Sequence, residues 1–249
     1  MNLDVPVFQE DKYKINERLG KDGMFSTVYK GTRIDGQPVI IKVFNEGYEI
    51  KYIEEEIKAI HDLRSVFVNQ ELDFGQMFVD GKERMVLILE PADNNLSYFG
   101  NTLTYNQIKA IFRQLIEGLK FIHNHNYVHD DIKGDNILIK NSEESVPEAF
   151  YGDLGMAKKR SNYPEEKFKE LLIKDKLDLL YTLSNLLLYR LTGDSLINTW
   201  YIITEIANHS ISFRLPDELK PLMFFIFNIV TKTKGNPSYD QIEEALTKF

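Results

Sequence analysis

The sequence predicts an α+β protein in which a small antiparallel β-sheet with one helix precedes a larger helical region. Three observations support this fold class. Short β-like runs separated by turns fill the first ninety residues, one helical segment interrupts them, and helical periodicity dominates after Pro91. With 249 residues, of which 43% are hydrophobic and 27% charged, the chain has an ordinary globular composition and can bury a sizeable core.

The β-like runs suit an antiparallel sheet because turn signals separate them. Asp35-Gly36 and Asp80-Gly81 lie between such runs, and Asp-Gly accommodates the positive φ angles of tight hairpin turns. We expect strands at Tyr13–Leu19, Phe25–Lys30, Pro38–Phe44, Asp73–Val79 and Arg84–Leu89.

The helix that interrupts the strands is predicted from Glu49 to Leu63. Three consecutive glutamates lie on it, and only Glu56 falls beside the apolar stripe, whereas Glu54 and Glu55 point to solvent. A carboxylate near an apolar face needs a cationic partner. The stripe recurs at steps of three and four positions and consists of Ile50, Ile53, Ile57, Ile60 and Leu63, with Tyr52 beside it.

The region after Pro91 is predicted to be helical, and its first helix has a buried face of Ile108, Ile111, Phe112, Leu115, Leu119 and Ile122. Further helices are expected at Leu177–Leu191, Leu196–Ala207, Glu218–Lys232 and Ser238–Thr247. The connector between the two regions falls at Glu90–Asn95, where the composition suits a linker. We expect a ligand-binding cleft there.

Composition excludes several classes of function. The formal net charge is −8 and the lysines are scattered, which argues against a nucleic-acid partner. Cysteine is absent, so disulfides, thiolate metal sites and cysteine nucleophiles are excluded. The apolar windows are too short to span a bilayer and the first residues do not resemble a signal peptide, so we expect a cytoplasmic protein without a membrane partner.

The most informative segment runs from Tyr127 to Ile139. After an apolar run it presents Asp131, a lysine two residues later and an asparagine five residues later, which gives one loop a proton acceptor, a cation and a metal-binding amide. A second acidic residue, Asp153, follows in Tyr151-Gly152-Asp153-Leu154-Gly155. This spacing predicts a phosphoryl-transfer site that can hold Mg²⁺ between two chain segments.

These two elements resemble the catalytic loop and the Asp-Phe-Gly metal loop of eukaryotic-type protein kinases, with Leu154 in place of Phe. The resemblance implies a bilobal protein-kinase-like fold over residues 1–249, with an N-lobe to about residue 90, a hinge to about 95 and a C-lobe beyond, and it implies ATP and Mg²⁺ as cofactors. By resemblance, Asp131 and Lys133 are catalytic, and Asn136 and Asp153 bind the metal. Asp130 and Asp135 are expected to be bystanders.

The segment Leu19–Val28 resembles the glycine-rich loop of kinases, with one residue inserted between the first two glycines and Ser26 at the third glycine position. Val39-Ile40-Ile41-Lys42 resembles the strand whose lysine grips the α- and β-phosphates, and Glu56 is its expected partner. Leu87–Asp93 resembles the hinge. The implied nucleotide-binding residues are Leu19, Gly20, Gly23, Ser26, Val28, Ile40, Lys42, Leu89, Glu90, Ala92 and Leu138.

The chain departs from the kinase pattern at three places. Asp130 replaces the arginine that usually precedes the catalytic aspartate, and the segment from Asp153 to Asp178 lacks Ala-Pro-Glu. Asn236-Pro237-Ser238 stands where kinases carry Arg-Pro-Ser, whose arginine pairs with the glutamate of Ala-Pro-Glu. Asp178 resembles the start of the central helix of the large lobe, with Asp175 as a rival.

The histidines of this region admit two interpretations. His129 is structural in the family, where this position supports the metal loop. A metal cluster of His123, His125 and His129 is the alternative, and we favour positions near a helix C-terminus for the first two.

We therefore expect an ATP- and Mg²⁺-dependent protein serine/threonine kinase, because Lys133 follows the serine/threonine pattern. Two alternatives stay open: a nucleotide-binding pseudokinase that acts as a scaffold, and a small-molecule phosphotransferase of the aminoglycoside-kinase type. The expected partners are a protein substrate and a regulatory protein. The expected location is the cytoplasm, or the host cytosol if the chain belongs to a virus or is a bacterial effector.

Overall fold

The computed structural model describes residues 6–8, 12–20, 23–192, 220, 225, 228–229 and 236–247. The chain divides into two compact units, and the division falls between Ala92 and Asp93. They are called the N-terminal unit and the C-terminal unit below.

The N-terminal unit contains a five-stranded antiparallel sheet with the order β1-β2-β3-β5-β4. Asp80 and Gly81 have φ angles of 51° and 75° in the β4–β5 hairpin, and Gly36 has a φ of 83° before β3, so both Asp-Gly pairs form the predicted turns. The strands are β1 (Tyr13–Leu19), β2 (Ser26–Arg33), β3 (Pro38–Phe44), β4 (Glu71–Val79) and β5 (Lys82–Leu89).

The two faces of this sheet carry different residues. One face forms an apolar core of Phe8, Tyr13, Val39, Ile41, Val43, Val79, Val86 and Ile88. On that side the Tyr13 hydroxyl donates a hydrogen bond to Asp73 at 2.8 Å. The opposite face carries Lys42, which reaches helix α1 (Ile50–Asp62). The stripe predicted on this helix is buried at Ile53, Ile57, Ile60 and Leu63, whereas Ile50 is 50% exposed at the first helical residue.

The C-terminal unit is built around helix α3 (Tyr105–Asn124), which starts at a capping box between Thr104 and Gln107. All six residues predicted for its buried face are buried. The hairpin of β8 (Ile137–Lys140) and β9 (Glu148–Tyr151) packs beside it, and the Tyr151 hydroxyl donates to the Leu115 carbonyl at 2.8 Å. Shorter elements are β6 (Asn94–Asn95), α2 (Leu96–Phe99), β7 (Tyr127–Val128) and β10 (Lys158–Lys159).

Helix α4 (Glu165–Thr192) corrects the prediction of a helix at 177–191, because it begins twelve residues earlier. Its first three turns are rich in charged residues, and Lys169 pairs with Glu165 at 3.1 Å. Phe168 and Leu171 bury their side chains against Val128. Charge pairs and a narrow apolar contact therefore support a helix that the apolar pattern alone does not reveal.

The remaining predicted helices are only partly described. The helix predicted at 196–207 lies outside the described residues, and within 218–232 only Lys220, Phe225, Asn228 and Ile229 are described, each as helical. The last prediction corresponds to α5 (Tyr239–Thr247). In the part of the chain that is described, no helix is long and apolar enough to cross a membrane.

Candidate active site

Lys42 and Glu56 form a buried ion pair in the N-terminal unit. The Lys42 Nζ lies 2.6 Å from the Glu56 Oε1, and the two residues are 6% and 3% exposed. Lys42 points from β3 and Glu56 from the inner side of α1, while Glu55 is exposed and Glu54 is half-buried. The expected pairing is therefore present, and the ammonium of Lys42 is fixed in position.

The residues expected to contact a nucleotide share one face of the sheet. Paired residues on antiparallel strands project to the same side, and residues two positions apart do so as well. Val28 pairs with both Leu19 and Lys42, and Ile40 pairs with Leu89. Ser26 lies two positions before Val28. The face that carries the phosphate-binding lysine candidate is thus lined by Leu19, Ser26, Val28, Ile40, Lys42 and Leu89.

The loop between β1 and β2 depends on glycine at two positions. Gly20 has a φ of 68°, which favours glycine. A Cβ on Gly23 would lie 2.7 Å from the Ser26 carbonyl oxygen, because the Gly23 N–H donates to that oxygen at 3.0 Å. The Asn45 side-chain amide also donates to the Gly23 carbonyl at 3.1 Å. The end of this loop at Gly23 is therefore attached to Asn45, the residue after β3.

The predicted hinge residues follow the end of β5. Leu89 is buried, and the Glu90 N–H donates to the Gln70 carbonyl at 3.0 Å. Ala92 is half-buried at the end of the N-terminal unit. Leu138 lies in β8 of the C-terminal unit, and a Cβ on Gly152 would lie 2.9 Å from its Cδ1 atom.

Two polar side chains of the catalytic loop, those of Lys133 and Asn136, converge on Asp131. The Lys133 Nζ lies 2.7 Å from the Asp131 Oδ2, and the Asn136 amide nitrogen donates to that same oxygen at 2.8 Å. The Asn136 nitrogen also donates to the Asp131 carbonyl at 2.9 Å. Both partners are acceptors, so the nitrogen must face them and the Asn136 Oδ1 faces elsewhere. Asn136 is 7% exposed, which fixes this orientation.

The β8–β9 hairpin brings the two metal-ligand candidates to one end. Asn136 precedes β8 and Asp153 follows β9, and the Gly152 N–H donates to the Asn136 carbonyl at 2.8 Å. Asp153 is exposed and has a φ of 54°. The Asn136 Oδ1 and the Asp153 carboxylate are hard oxygen donors, the type that Mg²⁺ prefers, so the donor set fits that ion.

His129 connects the catalytic loop to the segment of Asp153. It is fully buried, its Nε2 lies 3.0 Å from the Gly152 carbonyl oxygen, and its Nδ1 accepts the Asp131 N–H at 3.4 Å. Because the carbonyl can only accept, Nε2 carries the proton. His129 therefore has the structural position that the resemblance implies.

The histidines do not form a metal centre in the described residues, where no group of three or more candidate ligands comes together. The His125 Nδ1 bonds the Phe121 carbonyl at 2.8 Å at the end of α3. His123 lies on the last turn of the same helix and contacts Asp175.

Asp175, the rival of Asp178, is the aspartate that binds the catalytic loop. It is fully buried and accepts the backbone N–H groups of His129 at 2.7 Å and of Asp130 at 2.9 Å. Asp178 instead pairs with Lys174 at 2.7 Å. Both aspartates lie in α4, and the contacts with the catalytic loop favour the rival, Asp175, which lies one helical turn before Asp178.

Asp130, which was expected to be a bystander, forms an ion-pair cluster with two lysines. Its side chain is 8% exposed, its Oδ2 contacts the Lys158 Nζ, and its Oδ1 lies 3.3 Å from the Lys174 Nζ. Lys174 also donates to the Asp130 carbonyl at 2.9 Å. Burial alone would lower the pKa of Lys174, but Asp178 and Asp130 raise it. The sequence carried a signal for this cluster, because an aspartate in place of the usual arginine at position 130 needs cationic partners when it is buried.

Comparisons with known proteins identify the family to which this chain is similar. Residues 13–174 match the family described as Protein kinase domain. The sporulation protein kinase mde3 of Schizosaccharomyces pombe is 29% identical over 168 residues, which cover 61% of this chain and 30% of that protein. The probable serine/threonine-protein kinase zyg-1 of Caenorhabditis briggsae is 30% identical over 143 residues, covering 57% of this chain and 20% of that protein.

Cyclin-dependent kinase-like 2 of Homo sapiens is 33% identical over 141 residues, covering 53% of this chain and 28% of that protein. The chain thus aligns with less than a third of the length of each of these relatives. The family match covers more than half of the chain and contains Lys42, Glu56, Asp131, Asn136 and Asp153. This chain, with its bilobal-type α+β architecture of an antiparallel sheet followed by helices, belongs to the protein kinase domain family.

Proposed function

We propose that the chain is an ATP- and Mg²⁺-dependent protein kinase that transfers the γ-phosphoryl group to serine or threonine hydroxyls of a protein substrate. The observation that carries this proposal is the convergence of Lys133 and Asn136 on the Asp131 carboxylate, at 2.7 and 2.8 Å. A proton acceptor, a cation and an oriented amide on one loop are what phosphoryl transfer needs.

Within the C-terminal unit, the Asp131 carboxylate accepts the proton of the substrate hydroxyl and orients the oxygen in line. Lys133 neutralises negative charge on the transferring group, and Asn136 and Asp153 are the groups that would hold the metal. When bound, Mg²⁺ supplies neutralisation of the charge on the phosphate oxygens. The hydrogen bond from Asn136 keeps the Asp131 carboxylate aligned before substrate arrives.

Within the N-terminal unit, Lys42 is the group for the α- and β-phosphates, and Glu56 sets its position. The apolar side chains of Val28, Ile40 and Leu89 share the face of Lys42 and are suited to an adenine ring. Since the Glu90 N–H is bonded to Gln70, the Glu90 group proposed for the adenine edge is its carbonyl. The glycine-rich loop supplies backbone N–H groups for phosphate oxygens.

We also propose that residues 1–249 form one catalytic domain with a hinge at about 90–95, that it acts in the cytoplasm, and that a regulatory protein partner controls it. Serine/threonine specificity is supported by Lys133 in Asp-x-Lys-x-x-Asn and by relatives that are named serine/threonine-protein kinases.

The test is incubation with radiolabelled ATP, Mg²⁺ and generic acidic and basic protein substrates, followed by phosphoamino-acid analysis. Asp131→Asn, Asp153→Asn and Lys42→Met should each reduce transfer on the order of 100-fold, because each removes a charge aimed at the phosphoryl group. Asp135→Asn is the matched control, since Asp135 is exposed on the same loop and loses the same charge.

The outcomes separate the alternatives. Nucleotide binding without transfer would identify a pseudokinase scaffold, and transfer to an aminoglycoside but not to protein would identify a small-molecule phosphotransferase. Near-wild-type turnover of Asp131→Asn would refute the assignment of the catalytic residue.

A further inference from the structure

A chain of side-chain hydrogen bonds runs from the C-terminal helix α5 to the catalytic loop. Tyr239 is the first residue of α5, and His123 lies on the last turn of α3. The Tyr239 hydroxyl lies 2.6 Å from the Nδ1 of His123. On the other side of the ring, the Nε2 of His123 lies 3.1 Å from the Asp175 Oδ2. Three helices thus meet through one tyrosine, one histidine and one aspartate.

At its other end, this series of hydrogen bonds holds the backbone immediately before Asp131. Asp175 accepts the N–H groups of His129 and Asp130 with different oxygens, at 2.7 and 2.9 Å. These are the two residues that precede the proposed proton acceptor. Any rotation of the Asp175 carboxylate would therefore change the backbone direction at Asp131.

Burial makes the direction of the bonds definite. The Asp175 side chain is fully buried and that of His123 is 8% exposed. Burial would raise the pKa of Asp175, but the hydrogen bonds that it accepts from the His123 ring and the His129 N–H lower it below its usual range, so it is a carboxylate. Burial and the charge of Asp175 raise the pKa of Tyr239, so it is a phenol that donates to Nδ1. The His123 Nε2–H then donates to Asp175, and each group in the chain has a partner.

We propose that Tyr239 and His123 are positioning residues of the catalytic loop, through which helix α5 fixes the Asp175 carboxylate and thereby the backbone at Asp131. The proposal rests on the proposed kinase function for its consequence in turnover. Asp175 and Tyr239 both lie beyond the segment that matches the family, which ends at residue 174. Helix α5 has a further attachment to α3, the Lys120–Glu243 ion pair, so the loss of one hydroxyl leaves the helix in place.

Tyr239→Phe is the decisive variant, because it removes one oxygen and keeps the ring that packs 5.9 Å from the His123 ring centroid. Tyr98→Phe is the matched control, since Tyr98 is 70% exposed in the same unit. One hydrogen bond to a buried acceptor changes an equilibrium by about 2- to 12-fold. Amide hydrogen exchange at His129 and Asp130 should accelerate by that factor, while exchange at Leu115 in α3 stays unchanged.

In the kinase assay kcat should fall by about the same factor with the KM for ATP unchanged, because the proposed ATP-binding side chains outside the catalytic loop are untouched. Unchanged exchange at His129 and Asp130, or a uniform acceleration over the whole C-terminal unit, would overturn the proposal. Accelerated exchange with an unchanged kcat in an active enzyme would overturn the link to turnover. The exchange measurement requires no catalysis, so an inactive wild-type protein would refute the proposed function while the exchange result still decides the positioning role.

Discussion

Activity of this chain should not depend on a phosphate on the segment after Asp153. In kinases that are switched this way, the arginine before the catalytic aspartate holds the phosphate. Here Asp130 occupies that position, and its carboxylate binds Lys158 on β10 and Lys174 on α4. Compared with those kinases the charges are exchanged: the segment after Asp153 carries the cation, Lys158, and the catalytic loop carries the anion, Asp130. This ion pair forms without a phosphate.

The segment is also held by its backbone. Lys158 and Lys159 of β10 pair with Val128 and Tyr127 of β7, and the Arg160 N–H donates to the Asn126 carbonyl at 2.8 Å. Few residues separate this pairing from helix α4, so little conformational entropy opposes the ordered state.

The cost of breaking the pair follows from its burial. The side chains of Asp130, Lys158 and Lys174 are 8%, 26% and 46% exposed, which places the cluster between exposed pairs at about 0.2–1 kcal/mol and buried pairs at about 3–5 kcal/mol. An intermediate value of about 1–3 kcal/mol corresponds to roughly a 5- to 150-fold change in the equilibrium constant between the ordered and the disordered segment. Asparagine is the appropriate substitution, because Asp130 has a φ of 61° and asparagine tolerates that region.

The assay compares initial rates of purified protein before and after phosphatase treatment, with complete dephosphorylation verified by mass spectrometry. Dephosphorylation, Ser161→Ala and Tyr163→Phe should leave the rate unchanged, whereas Asp130→Asn and Lys158→Met should each lower it. The double variant should lose less than the sum of the two in free energy, since both remove one interaction. A large fall on dephosphorylation that Ser161→Ala or Tyr163→Phe reproduces would refute the reasoning.

Three further predictions concern the N-terminal unit. Lys42→Met and Glu56→Gln should each destabilise the fold by about 3–5 kcal/mol in urea unfolding, because each removes one charge of a buried ion pair. Additive losses in the double variant would contradict a direct pair. Burial raises the pKa of Glu71, which lies 2.9 Å from the Nε2 of His61. The folded state therefore keeps the Glu71 proton to a higher pH than the unfolded state does. The stability of the wild-type protein should fall as the pH rises from the ordinary glutamate range through the raised pKa, and Glu71→Gln should abolish that fall. Parallel stability profiles of the two proteins against pH would contradict this prediction. Ile40 stands where kinases commonly have alanine, so Ile40→Ala should improve binding of bulky ATP-competitive compounds relative to ATP, and equal changes in both affinities would place Ile40 away from the base.

The sheet could be predicted well because its signals are local. Alternating apolar residues and Asp-Gly turns gave β1 and β3 with the observed ends, and the other strands differ by one to three residues at their ends. Those ends are set by pairing across strands, as where Glu71 pairs with Leu89 beside a β-bulge, and pairing is not visible in one strand's own sequence.

The start of α4 could not be predicted in the same way, because these residues fall in the segment between Asp153 and Asp178, and the apolar periodicity of a helix begins only at Leu177. The charged sequence from Glu165 onward has strong helix formers, but its apolar contact is narrow: Phe168 and Leu171, with the half-buried Leu172, pack against Val128. A contact between segments about forty residues apart decides that this stretch is helical.

The identity of the anchoring aspartate could not be settled by spacing either. Asp175 and Asp178 are three residues apart on one helix, so both point toward the same side within about 60°. What separates them is burial: Asp175 is fully buried under His129, whereas Asp178 remains within reach of Lys174. The distinction rests on how α4 packs, which no local pattern encodes.

The missing arginine of Asn236-Pro237-Ser238 shows how the C-terminal unit compensates for a lost family contact. Lys176 of α4 is 8% exposed and binds the Asn236 side chain and the Pro237 carbonyl, the latter at 2.9 Å. These acceptors are neutral, and burial lowers the pKa of Lys176, so this attachment is a set of hydrogen bonds and not an ion pair. A neutral attachment needs no glutamate on the segment between Asp153 and Asp178. The loss of Ala-Pro-Glu and of the arginine is therefore consistent with an ordered C-terminal helix, because Lys176 and the Lys120–Glu243 pair attach that end of the chain to α4 and α3.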